Sequence, residues 1–288
     1  MRIMEVTISG SSGFIGSAVL RKITSRGWTA RIINRQSFEM PDDEFLEKKI
    51  EGADAVINLA GAPVIRRWTE EGKKEIVESR IATTRKIANA IGNAKVKPKV
   101  LISASATGIY DPVHEHTEES RELATGFLAD LCRDWEKEAA AVAEITRVVV
   151  FRTGLVLGTG GGMLKRMETP FKVGLGAMIG NGKQAFSWIH LEDLVSAFVF
   201  AIEQEQVRGA VNAVAPYPTT NYHFTKTFGK VMMQPAFLRI PEFVLRMVYG
   251  EGAQTLTTGQ KVLPRKLLQS GFSFQFPTVE KALVNLYK

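Results

Sequence analysis

Apolar residues change their spacing twice within the first 35 positions. Ile3, Val6 and Ile8 mark a short β-rich run. Ile15, Ala18, Val19, Leu20 and Ile23 then recur three and four residues apart, the stripe of an amphipathic helix, and Gly27 stands where such a helix would end. Thr29-Ala30-Arg31-Ile32-Ile33 returns to strand character, so the opening segment predicts a β-α-β unit. The alternation continues. Ala53–Gly61 reads as a buried strand, 70–91 as a helix, Val100–Ala106 as a strand, 126–143 as a helix and Arg147–Arg152 as a strand. Strands that alternate with helices in this way predict an α/β fold, a Rossmann-type doubly wound parallel sheet. The pattern loosens after Gly158. Gly160-Gly161-Gly162, Gly174, Gly176, Gly180 and Gly182 punctuate the next stretch, Asp193 leads into a helix over Leu194–Ile202, and Pro235, Pro241, Pro264 and Pro277 divide short amphipathic segments. The expected division is a Rossmann domain over 1–157, with strand and helix returns from about 185–215. A smaller C-terminal lobe over 158–288 would form a substrate cleft and include a helical segment at 235–288.

The first turn brings in chemistry. Gly10-Ser11-Ser12-Gly13-Phe14-Ile15-Gly16 lies between a strand and a helix, the context in which a glycine pattern reads as a dinucleotide fingerprint. Gly10 would allow a tight turn, Gly13 close approach of backbone to phosphate and Gly16 close helix packing. The free N–H groups of the helix start would then meet a pyrophosphate. Ser12, Phe14 and Ile15 belong to the same expected contact, and Leu59, Ala60 and Gly61 place another strand end on the sheet's carboxyl edge. Where the second strand ends, an acidic side chain would hold the ribose of NAD; this chain has Asn34 and Arg35, with no acid until Glu39. A guanidinium suits a 2′-phosphate, so the expected cofactor is NADP(H), against the alternative of Arg35 as a solvated surface residue.

Composition narrows the setting. A chain of 288 residues with 45% hydrophobic content supports a large core. No apolar run approaches the roughly 18 residues of a spanning helix, the chain enters a strand at once, and a single cysteine, Cys132, fits a reducing compartment; the expected location is cytoplasmic. Net charge is +7, yet 37 basic residues are interspersed with 30 acidic ones and form no basic helix, which argues against nucleic acid and for anionic small molecules. The expected partner is a small-molecule substrate, with no nucleic acid or membrane, in a monomer or homodimer. His114, His116, His190 and His223 have no metal-ligand spacing, so no metal site is expected.

Five motifs together carry a resemblance. They are Gly10–Gly16, Asn58-Leu59-Ala60-Gly61, Ser103-Ala104-Ser105-Ala106-Thr107 near Tyr110, Phe151-Arg152-Thr153-Gly154-Leu155-Val156-Leu157-Gly158, and Trp188-Ile189-His190-Leu191-Glu192-Asp193-Leu194. The chain resembles the extended short-chain dehydrogenase/reductases, the class that includes nucleotide-sugar epimerases. Gly158–Gly162, the Trp188 segment and Thr258–Pro264 through Pro277-Thr278 narrow this to the atypical SDR39U1-like epimerase family proteins, with their DUF1731-type C-terminal segment. The resemblance implies that Arg152, Gly154 and Leu155 contact cofactor and that Ser105 is the serine orienting a carbonyl. It also exposes a departure. The class uses a Tyr as general acid/base with a Lys four residues on; here those positions fall on Leu128 and Cys132. The one literal Tyr-x-x-x-Lys, Tyr222 to Lys226, lies in the later part of the chain.

Candidates for the missing proton donor follow from position. Tyr110 lies past the carboxyl end of a central strand, where active-site groups of such sheets gather, although a packed structural tyrosine fits equally. Arg80 replaces the class's helix-four Asn and reads as a pyrophosphate contact, a substrate-anion contact or a surface helix residue. Cys132 reads either as a reactive thiol or as a small buried hydrophobe. Two functions stay open: an NADP-dependent oxidoreductase or epimerase of modified mechanism, acting on a small substrate with or without a linked nucleotide, or an NADPH-binding sensor or interaction protein without turnover.

Overall fold

The computed structural model describes residues 3–40 and 44–288. Six parallel strands form the centre: β1 (Glu5–Ser9), β2 (Thr29–Ile33), β3 (Ala55–Asn58), β4 (Val100–Ala106), β5 (Arg147–Thr153) and β6 (Gly209–Ala213), in the order β6-β5-β4-β3-β1-β2. Successive residues of a strand face opposite sides, and the sequence places apolar side chains on both. Val6, Ile8, Ile57, Ile102, Val149 and Phe151 pack beneath helices Phe14–Ser25 and Leu191–Glu203. Val56, Leu101, Val148 and Val150 pack beneath Glu44–Ile50, Glu70–Asn93 and Phe127–Ala140 on the other face. The sheet is doubly wound, as its hydrophobic runs imply.

The chain reverses direction across the sheet at β1, with β2 on one side and β3 on the other. Ligands of open α/β sheets bind at such a switch point, outside the carboxyl ends of the strands. Ser9 Oγ donates to Asn58 Oδ1 across β1 and β3 (2.6 Å), Asn58 Nδ2 donates to Thr84 Oγ1 (2.8 Å), and Trp135 Nε1 donates to the same hydroxyl (2.9 Å). These buried bonds fix helices 70–93 and 127–140 to the switch point, because each unmade bond would leave a buried polar group unsatisfied.

The C-terminal segment carries the helices Glu242–Tyr249, Arg265–Gln269 and Val279–Tyr287, and two short strands besides. Leu238–Ile240 pairs with Ala177–Ile179, and Lys261–Val262 pairs with Glu115–His116. Leu267 and Phe272 enter the core beneath the central sheet, whereas Val279, Ala282 and Leu283 pack with Leu164, Phe224 and Phe228. Asp193 does more than favour the start of its helix. Its two carboxylate oxygens accept from the N–H groups of Gln275 (2.8 Å) and Phe276 (3.0 Å), which ties the returning chain to helix Leu191–Glu203.

Candidate cofactor and substrate cleft

Gly10 adopts φ +70°, and a Cβ on it would stand 2.6 Å from the backbone carbonyl of Leu59. The first turn therefore lies directly on the end of β3. At Gly16 a Cβ would stand 2.1 Å from the carbonyl oxygen of Gly10, so helix Phe14–Ser25 begins against the turn without room for a side chain. No side chain caps that helix. Its first N–H groups are available to an anion, and the axial dipole favours one there.

From this turn a cavity of about 480 Å³ runs along the carboxyl edge of the sheet. Gly10, Gly13, Phe14, Ile15, Gly16, Leu59, Ala60, Gly61, Arg80, Gly154 and Leu155 line it, all expected at a cofactor, and Ser105 lines it as well. Leu128 and Cys132 share the cavity, so the two positions where the class carries its Tyr and Lys do face the cleft and present an alkyl group and a thiol. Tyr222 and Lys226 lie outside it; Tyr222 is half exposed with the Lys226 ammonium over its ring.

Five expected site residues are placed elsewhere. Ser12 lines a neighbouring shallow depression with Ser17, Arg21 and Thr159. Asn34 caps the short helix Arg35–Glu39, accepting from Ser37 N–H at 3.0 Å. Arg35 reaches into solvent, its side chain 88% exposed and only 3.3 Å from Glu39 at closest. Tyr110 and Arg152 are corrected together. Tyr110 is fully buried and does not line the cavity, because its hydroxyl donates to Asn212 Oδ1 and accepts from Arg152 Nη1, both at 2.8 Å, while His116 stacks on its ring. Burial raises the phenol's pKa and the neighbouring Arg152 charge only partly offsets this, so Tyr110 stays a neutral structural link.

Arg152 grips Glu136 through two parallel bonds, Nε to Oε1 (2.8 Å) and Nη2 to Oε2 (2.7 Å), and is itself buried. Burial works against its charge, but the Glu136 carboxylate outweighs that and holds the pKa above the ordinary arginine value. Ser105 Oγ donates to Glu136 Oε1 at 2.7 Å. The proton of Ser105 is thus committed to the carboxylate, and its lone pairs remain for a donor in the cleft. Glu136, which accepts the Ser105 proton and pairs with Arg152, is a residue the sequence did not single out. Leu128, Cys132 and Glu136 fall four residues apart on one helix, which is the signal in the sequence that could find it. Other lining residues missed are Trp135 on the same helix, Val64 and Ile65 in the loop after β3, and Thr255 and Gln260 from the C-terminal segment. That segment is pinned at the cleft by Ser187 Oγ, which donates to Gln260 O (2.7 Å) and accepts from Val262 N–H (3.0 Å).

Cys132 is buried, and burial, reinforced by the Glu136 charge, pushes its pKa up to about 11 against the smaller opposing effects of the Ala106 N–H, Ser105 and Arg80. It is a neutral thiol at pH 7. Iodoacetamide at pH 8 is expected to alkylate the folded protein at least tenfold more slowly than the urea-unfolded chain, and Cys132→Ala is expected to bind NADPH as the parent does. Mass spectrometry of timed samples and a fluorescence titration read the two; alkylation at equal rates in folded and unfolded protein would contradict the neutral, buried thiol.

An open parallel sheet with a glycine turn at its switch point, and one cleft joining that turn to a serine at the end of β4, defines a dinucleotide-binding α/β protein of the dehydrogenase/epimerase type. The profile of the NAD dependent epimerase/dehydratase family matches residues 6–215, and that of a domain of unknown function, DUF1731, matches 240–286. The chain belongs to the NAD dependent epimerase/dehydratase family. It is 39% identical to the mouse epimerase family protein SDR39U1 over 97% of this chain and 98% of the mouse protein. It is 41% identical to the Mycobacterium tuberculosis epimerase family protein MT2273 over 96% of each. The crystal structure of human epimerase family protein SDR39U1 (isoform 2) with NADPH superposes with a TM-score of 0.92 at 36% identity, covering 99% of both chains. No described helix is long and apolar enough to cross a membrane.

Proposed function

We propose that this chain binds NADP(H) along the cleft and uses it as an oxidoreductase or epimerase-like enzyme on a small molecule, without the Tyr/Lys pair of its class. The observation that carries the reading is the continuity of the cleft from the Gly10–Gly16 turn to Ser105. The turn fits the cofactor because its cradle is closed to side chains: Cβ atoms at Gly10 and Gly16 would strike backbone within 2.6 Å. Its N–H groups would hold the pyrophosphate, Leu59–Gly61 and Gly154-Leu155 would border the cofactor beyond it, and the bound nicotinamide supplies hydride transfer. Ser105 would orient the reacting oxygen by accepting a hydrogen bond from a substrate hydroxyl, its own proton being held by Glu136. The family membership and the NADPH in the human structure support this reading.

Arg35 is the residue that would select the phosphorylated cofactor, since it stands at the end of β2 with an open, weakly paired side chain. One charge-assisted contact is worth about 1.5–3 kcal/mol, or roughly ten- to a hundredfold in affinity. Arg35→Asp is expected to raise the Kd for NADPH at least tenfold, leave NADH nearly unchanged and flatten the salt dependence. Titration of cofactor fluorescence at two ionic strengths checks it, and an unaltered NADPH affinity would remove Arg35 from the site.

The apolar wall of Leu128 and neutral Cys132 favours a second reading, a protein that binds NADPH without turning it over. Following NADPH absorbance with a panel of carbonyl compounds and sugar nucleotides separates the two. Oxidation with any member supports the enzyme, and tight binding without oxidation throughout supports the sensor.

A further inference from the structure

Arg80 is the only charged side chain that lines the cleft among the described residues. It projects from helix Glu70–Asn93 so that its guanidinium carbon lies 2.9 Å from where a Cβ on Gly61 would be and 5.2 Å from the ring centre of Trp135. Two of its five N–H groups are used, Nη1 donating to Ile76 O (3.1 Å) and Nη2 to Ala62 O (2.9 Å), which leaves three without a protein acceptor. No carboxylate of the described residues comes within 4 Å of it. A cation taken out of water without a counter-ion is costly, and proteins keep such groups paired or use them on ligands. Burial lowers the Arg80 pKa to about 10, so the charge persists at neutral pH. The neutral thiol of Cys132 does not cancel it.

The surroundings narrow what that charge would meet. Val64, Ile65, Leu128, Leu131 and Leu256 form the apolar walls of the same cleft, with Trp135 as a flat face beneath the guanidinium. Cys132 interacts with both Ser105 and Arg80, which brings Arg80 toward Ser105 although it also borders Gly61, whereas a pyrophosphate would already be met by the N–H groups of the glycine turn. A nucleoside diphosphate group would bring about two negative charges and a sugar with many hydroxyls to a wall that offers one cation and mostly hydrocarbon. Resting on the cofactor-binding reading above, we propose that the substrate is a small, mainly apolar or aromatic molecule with a single carboxylate, which Arg80 holds beside Ser105. The planar fork of a guanidinium matches a carboxylate, and one negative charge balances one positive one.

The test uses phenylacetate and octanoate, their uncharged amides, and phenyl phosphate. Each is titrated by calorimetry into the wild-type protein, Arg80→Gln and Arg80→Lys, with and without saturating NADPH, and NADPH itself is titrated separately into all three. The expected result is binding of at least one carboxylate at least tenfold tighter than its amide. In Arg80→Gln that preference is lost, in Arg80→Lys it is retained in part, and the NADPH Kd moves less than threefold. Equal affinity for acid and amide, or no binding of either acid at millimolar concentration, overturns the proposal. A tenfold loss of NADPH affinity in Arg80→Gln with the carboxylate preference intact would hand Arg80 to the cofactor, and tighter binding of phenyl phosphate would replace the carboxylate by a phosphate monoester. Absence of NADPH binding by the wild-type protein defeats the cofactor reading alone, because the titrations without NADPH still report on Arg80.

Discussion

Gly16→Ala is expected to weaken NADPH binding at least a hundredfold, about 2.8 kcal/mol, and to lower the melting temperature. The added Cβ would stand 2.1 Å from the Gly10 carbonyl oxygen and 2.8 Å from its carbonyl carbon. Both are backbone atoms, so no side chain can swing aside. Either helix Phe14–Ser25 moves off the turn or the turn moves off β3, where Gly10 already lies against Leu59. Each movement misdirects the N–H groups that would grip the pyrophosphate. Two control variants separate this from general damage. A Cβ on Gly13 would reach the Gly10 oxygen only at 3.3 Å, so Gly13→Ala should cost far less affinity. Gly27→Ala has open space around it but a φ of +74°; it should lower stability by roughly 1 kcal/mol and leave NADPH affinity alone. Fluorescence titration and thermal melts of the three proteins check the series. An unchanged Kd in Gly16→Ala would mean that the turn does not hold the cofactor.

The turn was readable from sequence because its determinants are local: a strand, three glycines and a helical stripe within about twenty residues. The central strands were readable for a related reason. A strand covered on both faces must be apolar nearly throughout, as in Val148–Phe151, and that run cannot be mistaken for a loop. The far side of the cleft was less legible. Position alone made Tyr110 look like an active-site residue, but its hydroxyl is claimed by Asn212, 102 residues later in the chain, and by Arg152, 42 residues later. Nothing near Tyr110 in the sequence reports those partners. The same holds for Arg80, whose place in the cleft depends on helix Glu70–Asn93 packing beside Phe127–Ala140 so that Trp135 comes under the guanidinium. The C-terminal segment carries the helices Glu242–Tyr249, Arg265–Gln269 and Val279–Tyr287, but its strands Leu238–Ile240 and Lys261–Val262 could not be read because two or three residues are too short to show a period. The motif around Ser105 pointed to a strand end that does line the cleft, whereas Glu136, which accepts the Ser105 proton, has no motif of its own.

The linked set of buried Ser105, Arg152, Tyr110 and Asn212 with the partly buried Glu136 yields the second large effect. Arg152→Met is expected to destabilise the protein by about 3–5 kcal/mol, because it strands the Glu136 carboxylate with Ser105 as its remaining hydrogen-bond donor and leaves Tyr110 without one of its two partners. For a chain of this size that corresponds to a fall in melting temperature of roughly 5–8 °C. Removing the carboxylate as well should reverse most of the loss: Arg152→Met/Glu136→Leu replaces an ion pair by two apolar side chains of similar volume, a change that is often neutral or stabilising. The double variant would nevertheless differ from the parent in the cleft. Without Glu136, the Ser105 hydroxyl regains a free proton and can donate where the parent only accepts. Its NADPH affinity should stay within about threefold of wild type, since neither changed side chain lines the cleft, while turnover of any substrate found should fall sharply. Melts of the two single variants and the double form a thermodynamic cycle whose coupling energy should exceed roughly 2 kcal/mol. A coupling near zero would show that the pair is not the strut holding Ser105 in place, and the acceptor role assigned to that serine would have to be given up.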